Sequence, residues 1–209
     1  TLKYAKDFVF HGKSSLKYVS VIVFLFGGKI IHQLIILLCD LSYIVLQGGI
    51  TMWKKIKPYV ISVAIALGVG ALSALFTRGN MDIYDRIQTP PLAPPGILFP
   101  IVWTVLYTIM GISSAIIYTK GRNENIPVYD ALKTYAIQLG VNFFWSIIFF
   151  NLEAFLFAFL WLLLLWVLII IMIKKFYQID KTAAYLQIPY FLWVTFAAYL
   201  NFAIFLLNR

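Results

Sequence analysis

The sequence predicts an all-α, polytopic membrane protein that folds as a bundle of five transmembrane helices. Hydrophobic residues make up 62% of the 209 residues, and charged residues only 12%. The mean hydropathy of +0.89 is higher than a soluble domain of this length needs for its core. Five apolar runs follow Met52, and each is about as long as a helix that crosses the hydrocarbon layer.

Short polar breaks separate the five apolar runs, which cover residues 58–76, 97–118, 129–150, 154–173 and 182–207. Only Asn151, Leu152 and Glu153 lie between the third and fourth runs, so we expect a tight antiparallel hairpin there. Pro189 lies inside the fifth run. We expect it to kink or interrupt that helix, because proline has no amide donor and clashes with the preceding turn.

Residues 1–51 differ from the rest of the chain. Lys29, His32 and Asp40 interrupt their most apolar part, which argues against a clean membrane span. The first methionine is Met52, and residues 47–51 can be back-translated into a string that holds a bacterial ribosome-binding sequence. We therefore expect residues 1–51 to be a non-native extension from translated upstream DNA and residues 52–209 to be the five-helix domain. The alternative is an additional membrane helix near residues 30–46.

The basic residues predict the orientation of the bundle. Nine of them flank the ends that share one side of the membrane: Lys54, Lys55, Lys57, Lys120, Arg122, Lys133, Lys174, Lys175 and Lys181. The other side has only Arg78, Arg86 and Arg209. The positive-inside rule then places Met52 in the cytoplasm, and a bacterial plasma membrane is expected. Topology thus explains the net charge of +9 without a nucleic-acid partner.

The segment from Pro90 to Tyr107 organises the rest of the chain. Four prolines within residues 90–95 predict a stiff, extended segment, and Pro100 is tolerated in the first turn of the following helix. In that helix Phe99, Trp103 and Tyr107 recur at i, i+4 and i+8, on one face. This stripe is either an interfacial aromatic belt or one wall of a pocket. The lid of such a pocket would be formed by Pro90, Leu92, Pro94 and Pro95.

Two further helix faces combine aromatic and amide side chains. On the third run these are Gln138, Asn142 and Trp145, and on the fifth they are Trp193, Ala197 and Asn201. A buried amide costs several kcal/mol, roughly, unless it finds a partner, so both faces should point into the bundle. The amides either bond one helix to another or orient a flat apolar ligand held between Trp103 and Trp193.

The residues after Met52 exclude several kinds of chemistry. They contain neither histidine nor cysteine, which are the commonest metal ligands and nucleophile–base partners, so we expect no metal site and no resident cofactor. All six carboxylates lie in or beside the polar breaks, and no phosphate-binding glycine loop is present. Hydrolysis, phosphoryl transfer and ion-driven pumping are therefore not expected.

Ala136 and Gly140 form a pair of small residues on the third run, roughly opposite Gln138. Small residues at this spacing let membrane helices approach closely. The pair is either the seam of a homodimer or a packing contact inside one bundle.

From Met52 to Asn208 the chain resembles the translocator protein, or tryptophan-rich sensory protein, family (TspO/MBR). The resemblance rests on Tyr84-Asp85, the Pro90–Gly96 segment, Phe99 to Trp103, the stretch Gln138–Ser146 (QLGVNFFWS), and Pro189 to Trp193 with Asn201 and Asn208. It implies a five-helix membrane bundle, usually a homodimer, that binds porphyrins such as protoporphyrin IX as ligands.

By the same resemblance Trp103 and Trp193 match two pocket tryptophans, and Tyr84 matches a tyrosine in the loop above the pocket. Gln138 and Asn142 match polar pocket positions, and Ala197 matches a small residue one turn after Trp193. Many members have Trp where this chain has Leu92, which weakens a photochemical role for that position. The resemblance thus implies sensing, sequestration or transport of a tetrapyrrole. The alternative is an enzyme that degrades porphyrin in light, with Trp103 and Trp193 as candidate catalytic electron donors.

Overall fold

The computed structural model describes residues 40, 48–49, 51–80 and 83–209. Internal contacts divide the chain into two units, Thr1–Lys55 and Ile56–Arg209, and the fold described below is that of the second. The predicted extension over residues 1–51 and the alternative helix near residues 30–46 lie almost entirely outside the described residues.

The described part of the chain is helical and contains no strand, so the predicted all-α fold is confirmed. The helices are α1 (described over Thr51–Asn80), α2 (Ile83–Arg86), α3 (Leu98–Glu124), α4 (Tyr129–Ser146), α5 (Phe155–Ile179), α6 (Lys181–Tyr185) and α7 (Ile188–Leu207).

Four stretches of the described residues are long and apolar enough to cross a membrane: Thr51–Asn80, Leu98–Glu124, Phe155–Ile179 and Lys181–Leu207. They correspond to the first, second, fourth and fifth predicted runs. The third run is also helical, but it carries Asp130, Lys133, Gln138 and Asn142, which lower its hydropathy. The chain is therefore an integral membrane protein whose helices follow the predicted five-run order.

The third and fourth runs form the predicted tight hairpin. After α4 the helix widens into a π-helix over Ile147–Asn151, and α5 begins at Phe155. Glu153 makes the turn with a positive φ of 50°. α5 packs against both α4 and α7, and its buried stripe includes Leu162, Leu165 and Ile169.

The fifth run is interrupted just before Pro189, as the sequence predicts. α6 ends at Tyr185, and α7 starts at Ile188 with Pro189 in its first turn, where the missing amide needs no partner. The α6 N-terminus is capped by the side chain of Asp180, whose Oδ1 accepts a hydrogen bond from the Ala183 amide at 3.0 Å.

α1 lies close against α3, the helix that carries the aromatic stripe. A Cβ added to Gly111 would lie 2.5 Å from the Val63 Cα, so only glycine permits this approach of the two backbones. Further along the same seam Gly70 faces the ring of Tyr107.

Candidate ligand-binding site

Trp103 is the centre of an aromatic cluster formed by three helices. Its ring centroid lies 5.5 Å from that of Tyr107 on α3, 6.5 Å from that of Trp145 on α4 and 6.2 Å from that of Tyr190 on α7. Centroid separations in this range are typical of favourable aromatic pairs. The stripe predicted on α3 therefore points into the bundle in this structure.

Phe99 and Trp193 extend the cluster toward the loop that precedes α3. Their rings meet edge to face, with centroids 6.0 Å apart and an interplanar angle of 69°. Phe99 is one turn before Trp103 on the same face of α3. Of the two tryptophans singled out in the sequence, Trp103 thus packs against Trp145, and Trp193 packs against Phe99.

The buried amides of α4 bond to tyrosines of this cluster. Asn142 donates a hydrogen bond from Nδ2 to the Tyr107 hydroxyl at 3.0 Å, and the Tyr190 hydroxyl donates one to Gln138 Oε1 at 2.8 Å. These bonds tie α4 to α3 and α7, as the first interpretation of the amides expects. The Nε2 of Gln138 and the Oδ1 of Asn142 are buried and have no hydrogen-bond partner in the described part of the chain.

A narrow cavity adjoins the aromatic cluster between α3, α4, the π-helix and α7. Its lining consists of Phe99, Trp145, Phe149, Phe150, Ala197, Leu200, Asn201 and Ile204. The free volume is about 20 Å³, and a single water molecule requires about 10–15 Å³. The cavity is therefore too small for a flat ligand of several rings, which can enter only if the aromatic side chains move apart.

The proline-rich segment contains a turn, whereas its prolines predict a stiff, extended segment. The Ala93 amide donates to the Pro90 carbonyl at 3.1 Å, and Leu92 has a φ of 76°, which is a type II arrangement that usually requires glycine. Pro90 is buried, Pro94 half-buried and Pro95 exposed. The Leu92 side chain is 78% exposed, so it does not fill the pocket.

The loop that contains this segment is attached to α7 by side-chain hydrogen bonds. The Tyr199 hydroxyl donates to the Pro91 carbonyl at 3.4 Å. Asn208 accepts a hydrogen bond from the Gln88 amide and donates one to the Gln88 carbonyl, each at 2.9 Å. Tyr84 belongs to α2, and its side chain lies outside the described residues.

Comparison with known proteins agrees with this arrangement. Residues 61–207 match the TspO/MBR family. The chain belongs to this family. It is 35% identical to the tryptophan-rich protein TspO of Chlorobaculum tepidum over 158 residues, which are 75% of this chain and 99% of the relative. It is 36% identical to TspO of Archaeoglobus fulgidus over 74% of this chain and 99% of the relative. It is 32% identical to the translocator protein of Bos taurus over 64% of this chain and 79% of the relative.

Contacts between charged and polar side chains join the helices at both ends of this TspO/MBR chain. At the end opposite the loop, Lys120 of α3 pairs with Asp180 at 3.2 Å, and Lys175 of α5 donates to Thr134 of α4 at 3.0 Å. The hydrogen bond from the Ala183 amide lowers the pKa of Asp180, and Lys120 adds to the effect. At the loop end, Arg86 pairs with Glu153 at 3.3 Å.

The two small residues of α4 lie on the outer surface of the chain. Ala136 is exposed, and a Cβ added to Gly140 would have no atom within 4 Å among the described residues. Within the described part of the chain, Gly140 therefore makes no close packing contact at the position of its missing side chain, and Ala136 faces outward.

Sequence reasoning missed several contributors to the site. Tyr190 is fully buried against Trp103, and its hydroxyl donates a hydrogen bond to Gln138. The sequence indicates its position indirectly, because Tyr190 lies three residues before Trp193 and therefore on a neighbouring part of the same helix face. The pairing of Asn208 with Gln88 and the π-helix that places Phe149 and Phe150 at the cavity have no such local signal.

Proposed function

We propose that this TspO/MBR protein binds a porphyrin-type tetrapyrrole, protoporphyrin IX, in the aromatic site under the proline-rich loop, for sensing, sequestration or transport. The observation that supports this most is the contact of Trp103 with Tyr107, Trp145 and Tyr190. Four aromatic rings from three membrane helices offer stacking surface for a flat macrocycle.

The amide atoms without hydrogen-bond partners would orient a ligand that lies on this surface. Gln138 Nε2 is a donor and Asn142 Oδ1 an acceptor, and both are buried next to the aromatic cluster. A buried polar group without a partner costs about 1–3 kcal/mol. A ligand with ring nitrogens or polar substituents at its edge would satisfy such atoms and recover part of that cost.

The small volume of the cavity implies that binding includes a step in which the side chains around it separate. The free volume of about 20 Å³ is far below that of a macrocycle, so Phe99 and the rings near Trp145 have to separate. Asn208 and Tyr199 fasten residues 88–91 to α7, and this loop leads directly into α3, which carries Phe99. In this proposal the loop moves away from α7 when the ligand enters. The loop then acts as the lid.

Two further features belong to the same proposal. The chain forms a homodimer through Ala136 and Gly140, because both lie on the outer surface of α4 and permit close approach of a second helix. It resides in a bacterial plasma membrane with Met52 on the cytoplasmic side. Two features support this: the basic residues that flank alternate helix ends, and the apparent bacterial ribosome-binding sequence in the back-translation of residues 47–51.

A second candidate is the light-dependent, oxygen-dependent degradation of porphyrin. The contiguous oxidisable rings of Trp103, Tyr107, Trp145 and Tyr190 favour it, since an excited porphyrin lying on them has electron donors within contact distance. Illumination of the complex in air and under argon tests it. A new absorbing product in air alone supports it, and an unchanged spectrum contradicts it.

The binding itself is tested by gel filtration of purified Met52–Arg209 with protoporphyrin IX. We expect porphyrin absorbance to elute with the protein and to saturate at a fixed ratio. Ala197→Leu fills the cavity and should reduce the retained porphyrin, whereas Leu163→Phe on the exposed face of α5 should not. Equal retention by both variants would contradict the proposed site.

A further inference from the structure

The cavity beside the aromatic cluster contains polar atoms that the proposed porphyrin stacking does not use. Asn201 lines it and is 1% exposed, and neither its Oδ1 nor its Nδ2 has a hydrogen-bond partner among the described residues. Trp145 also lines it and is 7% exposed, with its Nε1 likewise unpaired. Asn201 of α7 and Trp145 of α4 thus contribute two donor nitrogens and one carbonyl acceptor to the lining of one small space.

The chemistry of this space selects a neutral group. Every other lining residue is apolar, so no cation is present to balance a carboxylate and no anion to balance an amine. The indole N–H and the amide N–H both donate, which suits an oxygen with two lone pairs. The free volume of about 20 Å³ holds one oxygen atom with its attached carbon, or one water molecule.

We propose that Asn201 and Trp145 form a subsite for an uncharged carbonyl or hydroxyl oxygen of a flat aromatic ligand. The rest of the ligand would lie on the aromatic surface beside Phe99 and Ala197, so the inference deepens the proposed function and rests on the same pocket. A water molecule occupies the subsite when no ligand is bound, and the ligand oxygen replaces it with equivalent hydrogen bonds.

The subsite makes ligand preference depend on one functional group. A carbonyl oxygen can accept hydrogen bonds from both buried donor nitrogens, and the same ring system without the carbonyl accepts neither. A flat ligand with a carbonyl should therefore bind about tenfold more tightly than the same ring system without it. A ligand with a carboxylate at that position should be excluded, because its charge would be buried without a partner.

The matched probes are 9-fluorenone and fluorene, which share a flat tricyclic frame and differ by the carbonyl. Their dissociation constants are measured by tryptophan quenching in the purified full-length chain, and the ratio of the two constants is compared between variants. This comparison cancels the partition of each probe into detergent. The infrared carbonyl band of bound 9-fluorenone reports the hydrogen bond directly, because it moves to lower frequency when the oxygen accepts.

Asn201→Leu keeps the size of the side chain and removes both polar atoms, and Trp145→Phe keeps an aromatic ring and removes the donor. We expect each to reduce the preference for 9-fluorenone severalfold and to shift the carbonyl band back toward its apolar position. Trp161→Phe is the control, since the Trp161 Nε1 donates to the Val141 carbonyl at 2.8 Å and Trp161 does not line the cavity. It should leave the preference unchanged.

Each outcome separates the subsite from the porphyrin site. If the native protein binds the two probes with equal affinity, or if neither probe binds saturably, the subsite is refuted even when protoporphyrin IX is retained. If 9-fluorenone is preferred and Asn201→Leu removes the preference while porphyrin fails to bind, the subsite stands and the proposed tetrapyrrole ligand is wrong. If Asn201→Leu does not fold, Trp145→Phe decides alone.

Discussion

The side-chain amide of Asn208 pairs with the backbone of Gln88 through two hydrogen bonds of 2.9 Å each. Asn208 caps the end of α7, where its Nδ2 also donates to the Ile204 carbonyl at 2.8 Å. One side chain therefore joins the last turn of the final helix to the loop that precedes α3. This pairing and the hydrogen bond from the Tyr199 hydroxyl to the Pro91 carbonyl attach the loop to α7.

Loss of the pairing should loosen the loop. Asn208→Ala removes both bonds, and Asn208→Asp keeps the acceptor for the Gln88 amide while losing the donor. We expect trypsin to cleave after Arg86 faster in the alanine variant than in the aspartate variant, and slowest in the native protein. Cleavage at Lys174 and Lys175, at the other end of the bundle, provides the internal control. Equal rates after Arg86 in all three proteins would show that Asn208 does not hold the loop.

Substitution of glycine by alanine should have different effects at Gly111, which lies against α1, and at Gly140, which faces outward. In Gly111→Ala the new methyl group would overlap Val63 of α1, so we expect a loss of about 1–3 kcal/mol in stability and a lower midpoint of thermal unfolding in detergent. Gly140→Ala meets no described atom within 4 Å and should not destabilise the single chain. An unchanged midpoint for Gly111→Ala would contradict the close contact between α1 and α3.

The outer surface of α4 tests the proposed homodimer. Gly140→Leu places a large side chain on this surface without disturbing the interior of the chain. We expect the population of dimers, measured by light scattering in detergent, to fall relative to the native protein. Leu160→Phe, on an exposed face of α5, is the control. If Gly140→Leu leaves the dimer intact, the seam lies elsewhere.

The hydrogen bond between Tyr190 and Gln138 should contribute measurably to stability. Tyr190→Phe leaves Gln138 Oε1 without its donor in a site where the Gln138 Nε2 is already unpaired. An unsatisfied buried polar group costs about 1–3 kcal/mol. We expect the unfolding midpoint to fall for Tyr190→Phe and to stay near the native value for Tyr199→Phe, whose hydroxyl is at the surface. The reverse order would argue that Gln138 finds other partners.

The ionisation of Asp180 should make the stability of the fold depend on pH. The Ala183 amide and Lys120 hold the pKa of this carboxyl below its ordinary value of 3.8. A lowered folded-state pKa stabilises the fold at pH values above the unfolded pKa, and this stabilisation is lost as the pH falls through the folded value. We expect the unfolding midpoint to decrease below about pH 4. The decrease should be smaller in Asp180→Asn, and an identical decrease would assign the acid sensitivity to other carboxyls.

The sequence predicted those features that local chemistry determines. Pro100 and Pro189 locate the first turns of α3 and α7, and the brief break around Leu152 predicts the hairpin. The aromatic spacing of Trp103 and Tyr107 predicts one face of α3 but not which helices meet it.

Tertiary contacts determine the rest. The π-helix over Ile147–Asn151 has no residue signature, because its widened hydrogen-bond register depends on how α4 meets α5. The turn at Leu92 adopts a φ that favours glycine, so a local interpretation of the prolines favoured extended backbone instead. The pairing of Asn208 with Gln88 joins residues 120 positions apart, and such pairs follow from the fold rather than from neighbouring residues.

The most direct test of the central claim is the titration of protoporphyrin IX into purified Met52–Arg209, with tryptophan fluorescence as the signal. The native protein is compared with two variants, Trp103→Leu and Trp166→Leu. Trp103 lies within the proposed site, whereas Trp166 packs against Phe191 and donates to Thr195 at 2.9 Å. The proposal predicts saturable quenching in the native protein, an affinity about tenfold lower for Trp103→Leu, and an unchanged affinity for Trp166→Leu. Quenching that rises without saturation, or an equal affinity in all three proteins, would contradict it.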